Sequence, residues 1–154
     1  MELAEIGKNI LTNCMNVKPG ENVLIVTDDE KYAIGQALYQ AAKLLKAEAM
    51  LMTMPAREVS GQEPPAVVAA AMKAADVVIC PMKTSITHTR AKIEAAEAGA
   101  RIATMPGITE EMFAMGAMTA DYSRVMALTE QVTDLLTNAN TARIEKDGHV
   151  LTLD

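Results

Sequence analysis

Short, nearly unbroken apolar runs alternate with segments of helical period along this chain, and that alternation restricts the fold more than any other feature. Residues 22–27 (NVLIVT), 49–54 (AMLMTM) and 76–80 (DVVIC) have the length and residue types of buried strands, with a brief fourth over 101–104. Before the first run, Leu3, Ile6, Ile10, Cys14 and Val17 recur every three to four residues, an amphipathic helix stopped by Pro19-Gly20. Ile34, Leu38, Ala41 and Leu45 return to the same period after it. Pro64-Pro65 opens a third helix, and residues 88–98 form a fourth with Gly99 as its stop. Pro106-Gly107 then turns the chain into helices over 110–118 and 122–138. Asp121 caps the second of these, whose stripe is Val125, Leu128, Val132, Leu135 and Ala139. Strands apolar on both faces, alternating with helices, call for a parallel sheet covered on both sides. The expected fold is α/β: a three-layer, Rossmann-like domain with a mostly parallel sheet and a C-terminal β-hairpin.

The hairpin is read from the last fourteen residues. Asp147-Gly148 is a type I′ signal that sets Ile144 opposite Leu151 and Ala142 opposite Leu153, with both pairs on one face. A lone hairpin is marginal in water. This one either docks on the α/β body or opens a second domain, and the second is preferred.

Composition removes several classes of function. At 154 residues the chain suits one domain, and although half of it is hydrophobic no apolar run reaches membrane-spanning length. The start, MELAEIGKNI, is acidic and lacks the apolar core of a secretory signal. Cys14 and Cys80 are too few for a disulfide framework and read as reduced, buried thiols, which fits a cytoplasmic protein. A net charge of −6 and only four aromatics (three Tyr, one Phe) argue against nucleic acid as a partner. Twelve methionines, among them Met50, Met52 and Met54 in alternation and Met112, Met115 and Met118 at helical spacing, read first as core filler and second as contact surface.

In a parallel α/β sheet, ligands bind beyond the carboxyl ends of the strands. The loops expected there carry Asp28, Asp29, Glu30, Arg57, Lys83, Thr84, Ser85, Thr87, His88 and Arg90. Adjacent acids after the first strand suggest a receiver domain, but the end of the third strand reads Ile79-Cys80-Pro81, with no carboxylate to phosphorylate. Neither GxGxxG nor GxxxxGK[ST] occurs, so no glycine loop cradles a phosphate. The two histidines, His88 and His149, are far apart and no HExxH is present, so no catalytic residue or metal ligand is assigned. What remains is a corner of hydroxyls and cations at a strand–helix junction: Lys83, Thr84, Ser85, Thr87, His88 and Arg90 form the candidate substrate- or anion-binding set. Cations on the first turn of a helix oppose its dipole, which hints at an anionic partner. The same residues also read as capping hydroxyls and solvated cations.

Three stretches carry a resemblance: residues 10–28 (ILTNCMNVKPGENVLIVTD), 76–113 (DVVICPMKTSITHTRAKIEAAEAGARIATMPGITEEMF) and 143–154 (RIEKDGHVLTLD). They are similar to the N-terminal domain of the thermophilic metallo-aminopeptidase family, the aminopeptidase T, AmpS and PepS group of leucyl-type enzymes. The resemblance implies hydrolysis of N-terminal residues from a peptide substrate by a homo-oligomeric enzyme. It further implies two divalent metals (zinc, cobalt or manganese) held by a C-terminal domain whose ligands match no position in this sequence. Residues 1–140 would then be the N-terminal α/β domain, without a cofactor of its own, shaping the cleft or the dimer. Residues 141–154 would lead into the metal-binding domain. Some relatives in the same fold group are ring-cleaving dioxygenases. The alternatives are a stand-alone α/β module binding a small anion, or an oligomerisation domain.

Overall fold

The first strand, β1 (Asn22–Asp28), is buried at every position after Asn22, as a strand covered on both faces must be. In the computed structural model, which describes residues 3–153, it joins β2 (Glu48–Met54), β3 (Val77–Met82) and β4 (Arg101–Pro106). The four strands form one parallel sheet in the order β2-β1-β3-β4. Successive side chains of β1 enter opposite cores. Val23 and Ile25 pack with α1 (Leu3–Asn13) and α2 (Tyr32–Leu44), while Leu24 and Val26 pack with α3 (Ala66–Ala74) and α4 (Arg90–Glu97). Right-handed crossovers explain the division: the chain steps from β1 to β2 in one direction and from β2 through β3 to β4 in the other. The three-layer α/β reading is correct.

Two glycines set how closely the layers approach. A Cβ on Gly7 would lie 3.0 Å from the Cβ of Ala41, so α1 meets α2 almost backbone to side chain. A Cβ on Gly35 would fall 2.8 Å from Cγ2 of Thr27. It would have to displace a buried residue whose hydroxyl donates to the Pro81 carbonyl at 2.9 Å, a bond that joins the ends of β1 and β3.

The structure revises several local expectations. The fourth helix starts at Arg90 rather than residue 88, because Thr89 is its cap: its Oγ1 accepts from the Lys92 amide and donates to the Ile86 carbonyl. The helix expected over 110–118 breaks into α5 (Glu110–Ala114) and a 3₁₀ turn over Gly116–Thr119, with Gly116 at a φ of +69°. Met112 and Met115 are consequently exposed, while Met118 packs partly against the first core. Of the alternating trio only Met54 is fully buried, and Met50 on edge strand β2 is 43% exposed. Cys80 is buried as expected, and desolvation pushes its thiol up to about 12, so it stays neutral. Cys14 is instead exposed, because α1 ends one residue before it.

The chain divides into two compact units, Met1–Thr119 and Ala120–Asp154. The second holds α6 (Tyr122–Thr137) and a hairpin of β5 (Ala142–Lys146) and β6 (His149–Leu153). Asp121 caps α6, accepting from the Ser123 and Arg124 amides, but the helix buries no residue, and Leu135 on its apolar stripe is 72% exposed. The hairpin has the expected register, Ala142 with Leu153 and Ile144 with Leu151, around a turn in which Asp147 and Gly148 both have positive φ. Asp154, the end of the expected hairpin segment, lies outside the described residues. No helix among the described residues is long and apolar enough to cross a membrane.

Candidate functional site

Strand order reverses between β1 and β3, which places the crevice of this sheet at their carboxyl ends. That crevice is closed by a carboxylate. Asp28 is fully buried; its Oδ1 accepts from the Lys31 amide at 3.0 Å and its Oδ2 from the Lys83 amide at 2.6 Å. The neighbouring acids reach other loops. Asp29 accepts from the Ala56 amide at 2.9 Å, and Glu30 pairs with the Lys83 ammonium at 2.7 Å. The acidic cluster is therefore a hub joining three loops. The hydrogen bond that the exposed Lys83 ammonium donates to Glu30 also holds it above the usual lysine range, so this lysine stays protonated at neutral pH and is no base.

Beyond Lys83 the loop presents a chain of hydroxyls. Ser85 Oγ donates to Thr87 Oγ1 at 2.9 Å, and Thr87 Oγ1 is 2.9 Å from Thr104 Oγ1 on β4. The Thr87 amide closes back on Ser85 Oγ at 3.2 Å. Thr84 Oγ1 is buried and has no hydrogen-bond partner among the described residues. The structure thus brings Ser85 and Thr87 together and places Thr84 beside them in the chain. It leaves His88 exposed and turns Arg90 along its own helix toward Glu94, 3.3 Å away.

An acid of the chain itself sits at the start of α4. Glu63 accepts from the Arg90 amide at 2.6 Å and from the Ala91 amide at 3.2 Å. The first turn therefore already holds a carboxylate, which meets the demand that its dipole and unpaired amides create. Sequence reading missed this residue because a cap donated from 27 positions away leaves no local pattern. Thr104 was missed differently. It ends the expected fourth strand and starts an expected edge loop, but its contact with Thr87 depends on the register of β3 and β4, which the sequence does not give.

A small cavity borders this arrangement, and a larger one lies apart from it at the amino half of β1 and β2. The small one, of about 190 Å³, lies at the carboxyl edge, between Glu30 and Ile34 on one side and Ile108 to Glu110 on the other. The larger one, of about 580 Å³, lies against edge strand β2, lined by Met50, Met52, Ala71 and Ala75 among others. It is mostly apolar and gathers few polar groups, so its size does not make it the better candidate. Among the described residues no group of three or more His, Cys, Asp or Glu is placed to hold a metal ion.

The family model for NicX, 2,5-dihydroxypyridine 5,6-dioxygenase, matches residues 2–151. The chain belongs to this family. The NicX match spans nearly the whole sequence and overturns the aminopeptidase resemblance. With it go the leucyl aminopeptidase activity, proteolysis and the peptide substrate. The stretches that carried the resemblance supply strands, turns and loop tethers such as Asp28, which report architecture rather than reaction. Among solved structures the chain is similar to 2,5-dihydroxypyridine dioxygenase from Pseudomonas putida KT2440, at 19% identity and a TM-score of 0.69. That match covers 97% of this chain but 46% of the enzyme, so the chain spans about half its length; at this identity it shows a shared fold. A polyketide-synthase domain at 13% identity, covering 87% of this chain and 94% of that one, has a TM-score of 0.41 and bears on nothing further. No curated protein matches the chain.

Proposed function

We propose that this chain is the ligand-holding α/β lobe of a ring-cleaving dioxygenase acting on a small hydroxylated N-heteroaromatic ring, of which 2,5-dihydroxypyridine is the type. The observation that carries the reading is the coincidence of NicX family membership with a hydroxyl chain that joins the loop after β3 to β4. A ring bearing hydroxyl groups and a ring nitrogen offers donors and acceptors at fixed positions. Serine and threonine hydroxyls suit it because each can donate or accept by rotation. In this reading Thr84, Ser85, Thr87 and Thr104 hold the polar edge of the ring, and Lys83, His88 and Arg90 form a charged rim. The small-ligand module first set out as an alternative survives in this form, with the anion requirement removed because Glu63 already occupies the start of α4.

Adding O2 across a ring bond calls for a redox-active metal such as iron, a role zinc cannot fill. The residues described here do not form such a site. Its ligands are proposed to lie in a further lobe into which the 141–154 segment leads, a proposal supported by the 46% coverage of the Pseudomonas enzyme and by the exposed apolar face of the hairpin. A cytoplasmic location is part of the same reading, supported by Cys80 standing outside any disulfide.

Calorimetric titration with 2,5-dihydroxypyridine tests the substrate reading. Saturable binding is expected, weakened about tenfold by Thr87→Val, which removes the middle member of the chain. Binding unaffected by that substitution, or none at all, would refute it.

A further inference from the structure

Residues 55–65, between β2 and α3, pass over the β3–α4 turn and are held to neighbouring loops by polar bonds. At one end the Ala56 amide donates to Asp29. In the middle the Gly61 amide donates to the Ser85 carbonyl at 2.8 Å, and Ser60 Oγ accepts from the Ser85 amide at 3.2 Å. At the far end Glu63 takes the Arg90 and Ala91 amides. Apolar anchoring is missing from the centre of the segment: residues 58–63 are all exposed, and Val59 is 62% exposed. Gly61 has a φ of +86° and open space where a side chain would be. Bonds of this kind exchange readily for bonds to water, unlike buried apolar contacts. Two polar atoms, Arg57 Nε on this segment and Thr84 Oγ1 on the adjoining loop, are buried without a partner while these ties are made. Such atoms disfavour the arrangement that buries them.

We propose that residues 55–65 are a strap that opens and closes over the carboxyl edge of the sheet, with Glu63 as its latch. Opening hydrates Arg57 and Thr84 and admits a small polar molecule to the hydroxyl chain. The gating half rests on the function proposed above; the strap itself does not.

The test uses the 154-residue chain with Glu63→Ala, first without any ligand. Tryptic cleavage after Arg57 is expected to rise about tenfold, with faster hydrogen exchange at the Gly61 amide and unchanged exchange at Leu24 and Val26 in β1. Unchanged cleavage after Arg57 with faster exchange confined to the Arg90 and Ala91 amides would make Glu63 a helix cap only and overturn the strap. Should Glu63→Ala also speed exchange in β1, Ser60→Ala, which removes one of the two central bonds, is read by the same criteria. With 2,5-dihydroxypyridine added, the association rate is expected to rise by a similar factor in the variant. An unchanged rate would overturn the gating half. Absence of binding would count against the substrate reading, while the strap would still be decided by the ligand-free data.

Discussion

Phe113→Ala is expected to destabilise the α/β unit by about 3–5 kcal/mol. Phe113 is the chain's single phenylalanine and is fully buried in the core that contains α1, α2, β1 and β3. It is also the one residue that α5 buries, and a five-residue helix cannot hold itself together by its own hydrogen bonds. The Thr109 cap fixes where α5 starts, yet the cap depends on the helix staying docked. Truncation therefore removes the anchor of the element that follows β4, besides leaving a cavity. Urea denaturation followed by far-ultraviolet dichroism should show a lower midpoint. A loss below about 1 kcal/mol would mean that α5 is not held by this ring.

Asp28→Ala is expected to cost about 3 kcal/mol by the same measurement. Its carboxylate accepts two amide donors from two loops, and hydrogen bonds to a charged acceptor are the stronger kind. Alanine leaves the Lys31 and Lys83 amides without that acceptor in a site that water enters poorly. Asp28→Asn should fall between alanine and wild type, since its one carbonyl oxygen serves one amide while its NH₂ faces another donor. The effect should also reach the candidate site, because Lys83 begins the loop that carries Thr84, Ser85 and Thr87. An alanine variant within about 0.5 kcal/mol of wild type would show that Asp28 does not hold the β1/β3 crevice together.

Much of the architecture could be read directly from the sequence. NVLIVT and DVVIC are apolar at consecutive positions, which only a strand buried on both faces needs, and both proved central in the sheet. Asp147-Gly148 specified its turn because few other residue pairs accept positive φ twice in succession. Features that depend on distant partners were not legible. Glu63 caps a helix beginning 27 residues later, and Thr104 meets Thr87 only through the parallel register of β3 and β4. The break after α5 was hidden because Met112, Met115 and Met118 keep a helical period across Gly116, where the backbone does not. Reaction type was misread for a related reason. Asp28, Thr27 and Gly35 are committed to joining strands and loops, and they would serve a peptidase scaffold as well as a dioxygenase scaffold.

The most direct test of the central claim is to titrate 2,5-dihydroxypyridine into isotope-labelled protein and follow the backbone amide signals. Saturating shifts are predicted for residues 83–89 and Thr104. Shifts confined to the β2-edge cavity, around Met50 and Met52, or no shifts at all, would contradict the assignment of the carboxyl edge as the ligand site.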